Sequence, residues 1–423
     1  MADMFRAPLH RGMRTLDRTK FSKCVPIRAA RVFDSKNISS IRSELQKSQD
    51  ALRLERIGSV YSDPDPKLAR LGRKCILLKP DHHSPTVTEL AQKELISVIP
   101  YDLQLDYSHW TYHDILTSLL PEVDQEEIPS GFSQVGHVAH LNIRDQYLPY
   151  KHIIAEVLMD KNPAVSTVIN KIDDVGEESE YRTFRYEVLA GADDMNVKLS
   201  EENCVFEFDY SKVYWNSRLH TEHARMVSFF QEGEAVCDVM AGIGPFAVPA
   251  GKKKVFVWAN DLNPDSFKYL KQAIRRNKVT DFVRPFNDDG RNFIKTAAQQ
   301  LASEERTVEV KNKKGQVTRK LTQPRTFQHY VLNLPASALT FLSSFVGLKQ
   351  QPLIHVYCFN TKSDDNVEEG IKICDEISSQ LRHEMKPGKV EEGGVEIHDV
   401  RDVAPKKRMF CASFRLPHEV AFG

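Results

Sequence analysis

Val236-Cys237-Asp238-Val239-Met240-Ala241-Gly242-Ile243-Gly244-Pro245-Phe246 is the stretch on which the reading of the fold turns. An apolar strand runs into Asp238, and a Gly-x-Gly turn then opens toward a helix. Glycines in such a turn let the backbone approach a ligand closely. Two glycines alone can equally serve only to turn the chain. The third glycine of a dinucleotide fingerprint is absent, because Phe246-Ala247-Val248 follows. A hydride-transfer cofactor is therefore disfavoured.

Outward from this turn, apolar strands alternate with helical stretches. Strands are predicted at Ala235 to Val239, Val255 to Ala259, Val283 to Phe286, Tyr330 to Leu334 and Leu353 to Phe359. Helices are predicted at Asp265 to Arg276, Asn292 to Ala302, Ala336 to Phe345 and Asn366 to Leu381. Alternation of this kind predicts an α/β fold, a mostly parallel sheet covered on both faces. Ser303 to Arg325 is charged and non-periodic and reads as a surface insertion.

Upstream, Phe21 to about Leu120 is mixed, with a strand-like Lys74-Cys75-Ile76-Leu77-Leu78 and turns at Asp63-Pro64-Asp65-Pro66 and His82-His83-Ser84-Pro85. An acidic, Pro-bounded break at Pro121 to Pro129 separates it from a small module. That module has a strand (Val135 to Asn142), a helix (His152 to Met159) and a strand (Thr167 to Ile172), and it ends near Gly191. The expected division is 1–122, 129–204 and 205–423, in keeping with a chain of 423 residues.

Apolar and charged fractions of 41% and 27% are those of a globular chain, and no apolar run reaches the ~20 residues of a membrane span. The seven cysteines have no CxxC spacing, which argues against a zinc site and a disulfide framework. No metal is expected. Net charge is zero, yet Arg and Lys crowd the first 33 residues, Lys252-Lys253-Lys254, Lys311 to Lys320 and Lys406-Lys407-Arg408. These patches permit a polyanionic partner without requiring one. The N-terminal cluster reads either as a basic arm or as a mitochondrial presequence interrupted by acids.

Two further strand ends are polar. Asn260-Asp261-Leu262-Asn263-Pro264 puts an acid where it can accept from both ribose hydroxyls, with Asn263 and Pro264 starting a helix. Asn287-Asp288-Asp289-Gly290-Arg291 puts an acid where it can meet an adenine amino group. Either acid can instead be a helix cap. Three polar strand ends along one crevice suit an adenosine. The constellation resembles the class I, Rossmann-like methyltransferases over Phe206 to the C-terminus. That resemblance implies S-adenosylmethionine, with Asp238, Gly242 and Gly244 at its methionine part, Asp261 at ribose and Asp289 at adenine.

Asn333-Leu334-Pro335 ends the fourth strand, and an Asn there offers both an acceptor and a donor to a planar base edge. Tyr214-Trp215-Asn216-Ser217-Arg218-Leu219-His220-Thr221-Glu222 enters a helix, and Phe184-Arg185 leads into Leu189-Ala190-Gly191. With Met13-Arg14 and Leu16-Asp17, these segments together resemble the archaeal and eukaryotic tRNA (guanine-37) N1-methyltransferases across nearly the whole chain. The resemblance implies that Glu222 is the base removing the N1 proton, that Arg185 stabilises charge on O6, and that Asn333 orients the base. It also implies contacts to S-adenosylmethionine from His223, Asp261, Leu262, Asp289, Gly290 and Asn333.

The same resemblance implies a monomer that acts on tRNA with G at position 37 and needs no membrane. The N-terminal region would read the tRNA body. The compartment would be cytoplasm or nucleus, with a mitochondrial matrix pool admitted by the basic arm. The rival within the same fold is the aminocarboxypropyl transferase of wybutosine synthesis. Other rivals are a protein or small-molecule N-methyltransferase, which leaves the N-terminal modules unexplained, and a non-enzymatic RNA-binding scaffold.

Overall fold

The computed structural model describes residues 2–54, 56–82, 84–122, 128–129, 131–172, 181, 183–312 and 314–423. His83, residues 123–127 of the acidic break and Arg182 lie outside them. The chain divides into two compact units. The first comprises Met1–Phe132, His140–Asn170 and Val188–Ala192, and the second Ser133–Ala139, Lys171–Glu187 and Asp193–Gly423.

In the first unit, strands Val60–Ser62, Lys74–Leu78, Lys23–Val32 and Ile96–Leu105 form an antiparallel sheet in that spatial order. Helices Ile38–Lys47 and Pro85–Gln92 contribute Ile41, Leu45, Val87 and Leu90 to a core with Ala30, Val32, Ile76 and Leu78. Much of the basic arm is engaged internally. Arg11 donates to the carbonyls of Thr117 and Leu120. Arg14 lies 3.8 Å over the Tyr150 ring, and Arg18 donates to Asp160 at 2.8 Å.

The second unit is built on a seven-stranded sheet. Its strands are β1 (Ala235–Asp238), β2 (Phe256–Asn260), β3 (Val283–Phe286), β4 (His329–Leu332), β5 (Leu353–Thr361), β6 (Glu396–Ala404) and β7 (Lys407–Arg415). They lie in the order β3-β2-β1-β4-β5-β7-β6. The first five are parallel, and β7 runs antiparallel to both β5 and β6. Between β1 and β4 the winding reverses, which opens a crevice at the carboxyl ends of those strands. The helices are α1 (His220–Phe229), α2 (Ala247–Lys252), α3 (Pro264–Arg276), α4 (Gly290–Ser303) and α5 (Val367–Leu381). Trp258, Phe293, Phe345, Ile373 and Phe410 belong to one continuous core across the sheet.

Four local expectations are corrected. Ser303–Arg325 is not irregular: Thr307–Lys311 and Val317–Thr322 pair as an antiparallel hairpin, bulged between Val310 and Lys311. Most of its side chains are exposed, and only Val308, Val310 and Leu321 turn inward, so the alternation on the sequence is brief. A Thr307–Thr322 hydroxyl contact at 3.1 Å and a Lys320–Glu309 pair at 3.3 Å tie the strands instead. The strand expected over Val135 to Asn142 is broken by a turn at Gly136 (φ 57°) into Phe132–Val135 and Val138–Leu141. The helix expected at Ala336 to Phe345 is a 3₁₀ helix, Ala338–Phe345, buried on nearly all sides. The β6–β7 pair has no counterpart among the expected strands; it adds an antiparallel edge to the parallel sheet.

The lysine clusters largely serve the fold. Lys253 Nζ donates at 2.8 Å to the carbonyls of Val227 and Phe230, at the end of α1. Arg319 pairs with Glu232, and Arg408 with Asp399 and Asp402.

Candidate active site

The three parallel strand ends are braced by Asn260. Its buried amide donates to the Val239 carbonyl at 3.0 Å and the Asp288 carbonyl at 2.9 Å, and its Oδ1 accepts from Asp288 N at 2.9 Å. Ala241 N donates to the Asn260 carbonyl at 2.6 Å. The turns after β1, β2 and β3 are thus one hydrogen-bonded rim. Sequence reasoning passes over Asn260, although an Asn beside the strand-end acid is a signal for such a brace.

On this rim the Gly-x-Gly turn has left-handed backbone at Gly242 (φ 57°) and Gly244 (φ 95°). A Cβ on Gly244 would come within 2.7 Å of Leu270 and 2.9 Å of Val248, whereas one on Gly242 would enter open space. Gly244 is needed for packing, and Gly242 keeps its backbone accessible. Gly242 N donates to Asp261 Oδ2 at 2.8 Å and Asn263 N to Oδ1 at 2.9 Å. Burial pushes the Asp261 carboxyl up, against the lowering effect of these bonds.

Asp238 ends β1 fully buried, and neither of its oxygens has a hydrogen-bond partner among the described residues. Burial, with the charge of Asp261 adding to it, raises its carboxyl well above the usual range. A buried acceptor pair of this kind costs stability unless a donor arrives. The ammonium of a methionine moiety is such a donor, and Asp261 keeps lone pairs for ribose hydroxyls. These acceptors fit the ammonium and ribose hydroxyls of S-adenosylmethionine.

Trp215, His223, Gly242, Phe246, Asp261 and Asn333 meet on one cleft at this crevice. His223 is buried, its Nδ1 at 2.5 Å from Glu201 Oε1, and its ring stands edge-on to Phe246 at 5.0 Å. Other expected contacts are placed differently. Asp289 is exposed and caps α4, accepting from Arg291 N at 2.9 Å and Asn292 N at 3.3 Å. Gly290 faces Phe341 and Val239. Leu262 is exposed, its carbonyl taken by Asn287. None of these three lines the cleft, and neither do Asp238, Gly244 or Glu222, which lie behind its walls.

Glu222 sits in the first turn of α1, 5% exposed. Arg225, one turn on, grips it with two bonds, Nε to Oε2 at 2.7 Å and Nη2 to Oε1 at 2.6 Å. Tyr357 of β5 donates to Oε1 at 2.6 Å. His398 of β6 has Nε2 3.5 Å from Oε2. Burial pushes the carboxyl up, but the bonds from Arg225, His398 and Tyr357 prevail and hold it at about 2. Tyr357 follows Val356, which pairs with Leu332, the residue before Asn333. The carboxylate is therefore tied to the strand step neighbouring Asn333, and the Tyr357 ring stacks on Phe246 of the cleft at 6.1 Å.

Arg185 is exposed and stands outside the cleft lining, its carbonyl accepting from Ile172 N at 3.0 Å. Phe184 beside it packs against Tyr210 at 5.1 Å, with the Lys171 ammonium 3.9 Å over its ring. Among the described residues no group of three or more His, Cys, Asp or Glu could hold a metal ion, and no helix is long and apolar enough to cross a membrane.

Residues 198–309 match the family described as the TRM5/TYW2 methyltransferase domain, and residues 112–194 the TYW2 N-terminal domain. Over its full length the chain is 52% identical to a tRNA (guanine(37)-N(1))-methyltransferase of Fusarium vanettenii, covering 97% of that protein. It is 50% identical over 99% of its length to the enzyme of the same name from Neurospora crassa, covering 95% of it. The one from Schizosaccharomyces pombe is 41% identical over 97% of this chain and 96% of its own. The fold resembles that of aTrm5 in a complex with tRNALeu (TM-score 0.62, 20% identity, 92% and 100% of the chains covered). It also resembles Trm5b from Pyrococcus abyssi (TM-score 0.57, 22% identity, 92% and 99% covered).

Proposed function

The chain belongs to the family of tRNA (guanine(37)-N(1))-methyltransferases, and from that premise we propose how its own residues methylate N1 of guanosine 37 in tRNA. The observation that carries the activity is the end-to-end likeness, 52% identity over the whole chain. S-adenosylmethionine, when bound, supplies an electrophilic methyl on a sulfonium. Asp238 binds its ammonium, Asp261 its ribose, and the Gly242 backbone lies along it. His223 adds a contact from within the cleft, and Leu262, Asp289 and Gly290, outside its lining, extend the contacts only where the nucleoside reaches past the cleft along the strand ends.

Guanine N1 carries a proton at neutral pH, so its lone pair must be freed as the new bond forms. Glu222 takes that proton, a contribution of ~10²–10⁴-fold for a general base. Arg185 stabilises the charge moving onto O6. Asn333 orients the base edge for in-line approach. To act, Glu222 must loosen its Arg225 fork, and Arg185 must reach the cleft; arrival of the flipped base supplies the occasion for both.

The segments 1–122, 129–204 and 205–423 divide the labour, the first reading the tRNA body. The enzyme works as a monomer without a membrane, in cytoplasm or nucleus and with a mitochondrial pool. It supports maintenance of the reading frame in translation, and inosine at the same position is a second candidate substrate, since it offers the same N1–H and O6 edge. The match of residues 112–194 to the TYW2 N-terminal domain favours testing one rival product, an aminocarboxypropyl adduct. Incubation of tRNA bearing G or A at position 37 with labelled S-adenosylmethionine, and then mass analysis, decides the matter. A methyl gain dependent on G is expected; an aminocarboxypropyl gain overturns the reading.

A further inference from the structure

If Glu222 is the base, and the inference rests on that reading, the proton it takes needs an exit. Glu222 is almost wholly buried and faces three polar side chains. Arg225 on α1 is a guanidinium with no acceptor. Tyr357 on β5 already donates to the carboxylate, and its burial disfavours ionisation. His398 on the edge strand β6 is different. Its Nε2 is 3.5 Å from Glu222 Oε2, and its side chain is 43% exposed. Among the described residues facing the carboxylate, it alone can accept a proton and also reaches water.

The local backbone aims it there. His398 pairs in register with Cys411 of β7, and the ladder is bulged between Asp399 and Arg401. Bulges of this kind re-aim side chains at sheet edges. The next acid along the strand, Asp399, is held by Arg408 at 2.8 Å. The charged and titratable groups around the pair are thus Glu222 and Arg225 from α1, Tyr357 and His355 from β5, Cys411 from β7, and Asp399 and Arg401 from β6 itself. His355 is buried, and burial pushes its imidazole down to about 3.

We propose that His398 is the proton outlet of the active site. As guanine N1 gives its proton to the Glu222 carboxylate, the carboxyl passes it to His398 Nε2, unprotonated at that moment. The imidazolium releases a proton from Nδ1 to water, and the half-exposed ring regains its starting tautomer by proton exchange with water. Glu222 is restored to its ionised form and no other reactant is consumed. The carboxylate must be ionised again before the next turnover, and an imidazole that lies beside it and also reaches water gives the proton a way out. The 3.5 Å separation closes by a small side-chain movement or through one water, as such contacts do on substrate binding. His398 acts through Glu222 and is a positioning and relay residue.

The experiment is single-turnover methylation of tRNA by the full chain, measured from pH 5.5 to 8.5. It compares the parent with His398→Ala, His398→Gln and Glu222→Gln, with and without added imidazole. S-adenosylhomocysteine binding serves as the control for folding. The parent rate should fall toward the acid end of this range. His398→Ala should lose about ten- to hundred-fold in rate and lose that acid limb, and imidazole should restore part of the rate. His398→Gln should remain as slow as His398→Ala. The relay is overturned if His398→Ala stays within two-fold of the parent, if imidazole gives no rescue, or if Gln restores the full rate. Glu222→Gln separates the two ideas. Full activity there removes the base reading itself, while an inactive Glu222→Gln beside an unimpaired His398→Ala removes only the relay.

Discussion

Tyr357 donates its hydroxyl hydrogen to Glu222 Oε1 at 2.6 Å, joining β5 to the first turn of α1 across 135 positions of sequence. With the Arg225 fork, this bond keeps a buried carboxylate ionised next to the strand that carries Asn333. Removing the hydroxyl leaves the ring stacked on Phe246 but deletes one donor to a charged group. Tyr357→Phe should cost about 1.5–3 kcal/mol in stability. It should also slow methyl transfer without changing S-adenosylmethionine affinity. Denaturant unfolding and isothermal titration check this; an unchanged midpoint would mean that the bond contributes nothing.

Acid stability should report the same carboxylate. Glu222 lies near 2 in the fold against a usual 4.5, a depressed value. Its stabilisation is therefore complete above about pH 4.5 and is lost as pH falls toward 2. The size is about 3 kcal/mol. Glu222→Gln should flatten that part of the stability–pH curve, measured by urea unfolding between pH 2.5 and 6. An identical acid limb in the variant would contradict the assignment.

Asp238 predicts the opposite sign. Its carboxyl is raised by burial, so the stability present while it is protonated is lost progressively as pH rises above the ordinary carboxyl value of 3.8. Asp238→Asn should raise the melting temperature of the ligand-free protein at pH 7, by roughly 1–3 kcal/mol in stability. The same change should weaken S-adenosylmethionine binding by ten-fold or more. A stability gain with undiminished affinity would remove Asp238 from the cofactor site.

The two turn glycines should separate cleanly. Gly244→Ala meets Leu270 and Val248 and should destabilise the fold by about 2 kcal/mol or more. Gly242→Ala meets only open space and carries the left-handed backbone cost of about 1–2 kcal/mol. It should nevertheless lose cofactor affinity, because a methyl group then occupies the approach. Thermal melts with and without S-adenosylmethionine distinguish the two, and equal binding losses after correction for stability would refute the division.

Asp289 carries two assignments that a substitution can part. Asp289→Ser keeps an oxygen for the N-cap of α4 and so preserves stability to within a few tenths of a kcal/mol. If the carboxylate also meets adenine, affinity for S-adenosylmethionine should drop several-fold in the same variant. Unchanged titration curves would leave Asp289 as a cap alone.

The strand ends at Asp238, Asp261 and Asn333 are legible in the sequence because a parallel sheet buries both faces. Its strands are therefore short apolar runs that stop at polar residues. The helix cap at Asn263-Pro264 is legible for local reasons, and it is found as expected, with Asn263 Oδ1 accepting from Asp265 N. Tyr357 and His398 are not legible as partners of Glu222. Each is an ordinary strand residue, and only the pairing of β5, β7 and β6 carries them to α1. Arg225 stands three residues after Glu222 on a predicted helix, a spacing that does announce an ion pair. The hairpin within Ser303 to Arg325 escapes notice because it buries little, although Val308, Val310 and the Gly315 turn are available as signs.

The strand β7 lies between β5 and β6 yet comes after both in the chain. On a ribosome, β5 therefore emerges with an open edge and β6 with nothing to pair against. β5 already pairs with β4 on its other edge, whereas β6 joins the sheet only through β7. Until β7 arrives Tyr357 has no fixed neighbour on one side, and His398 is not yet brought over Glu222. A nascent chain can thus assemble its nucleoside-binding crevice, with Glu222 and Asn333 already made, before the strand partners of Glu222 are in place. The power to alter RNA arrives late and in a single step, when the last-made strand closes the sheet.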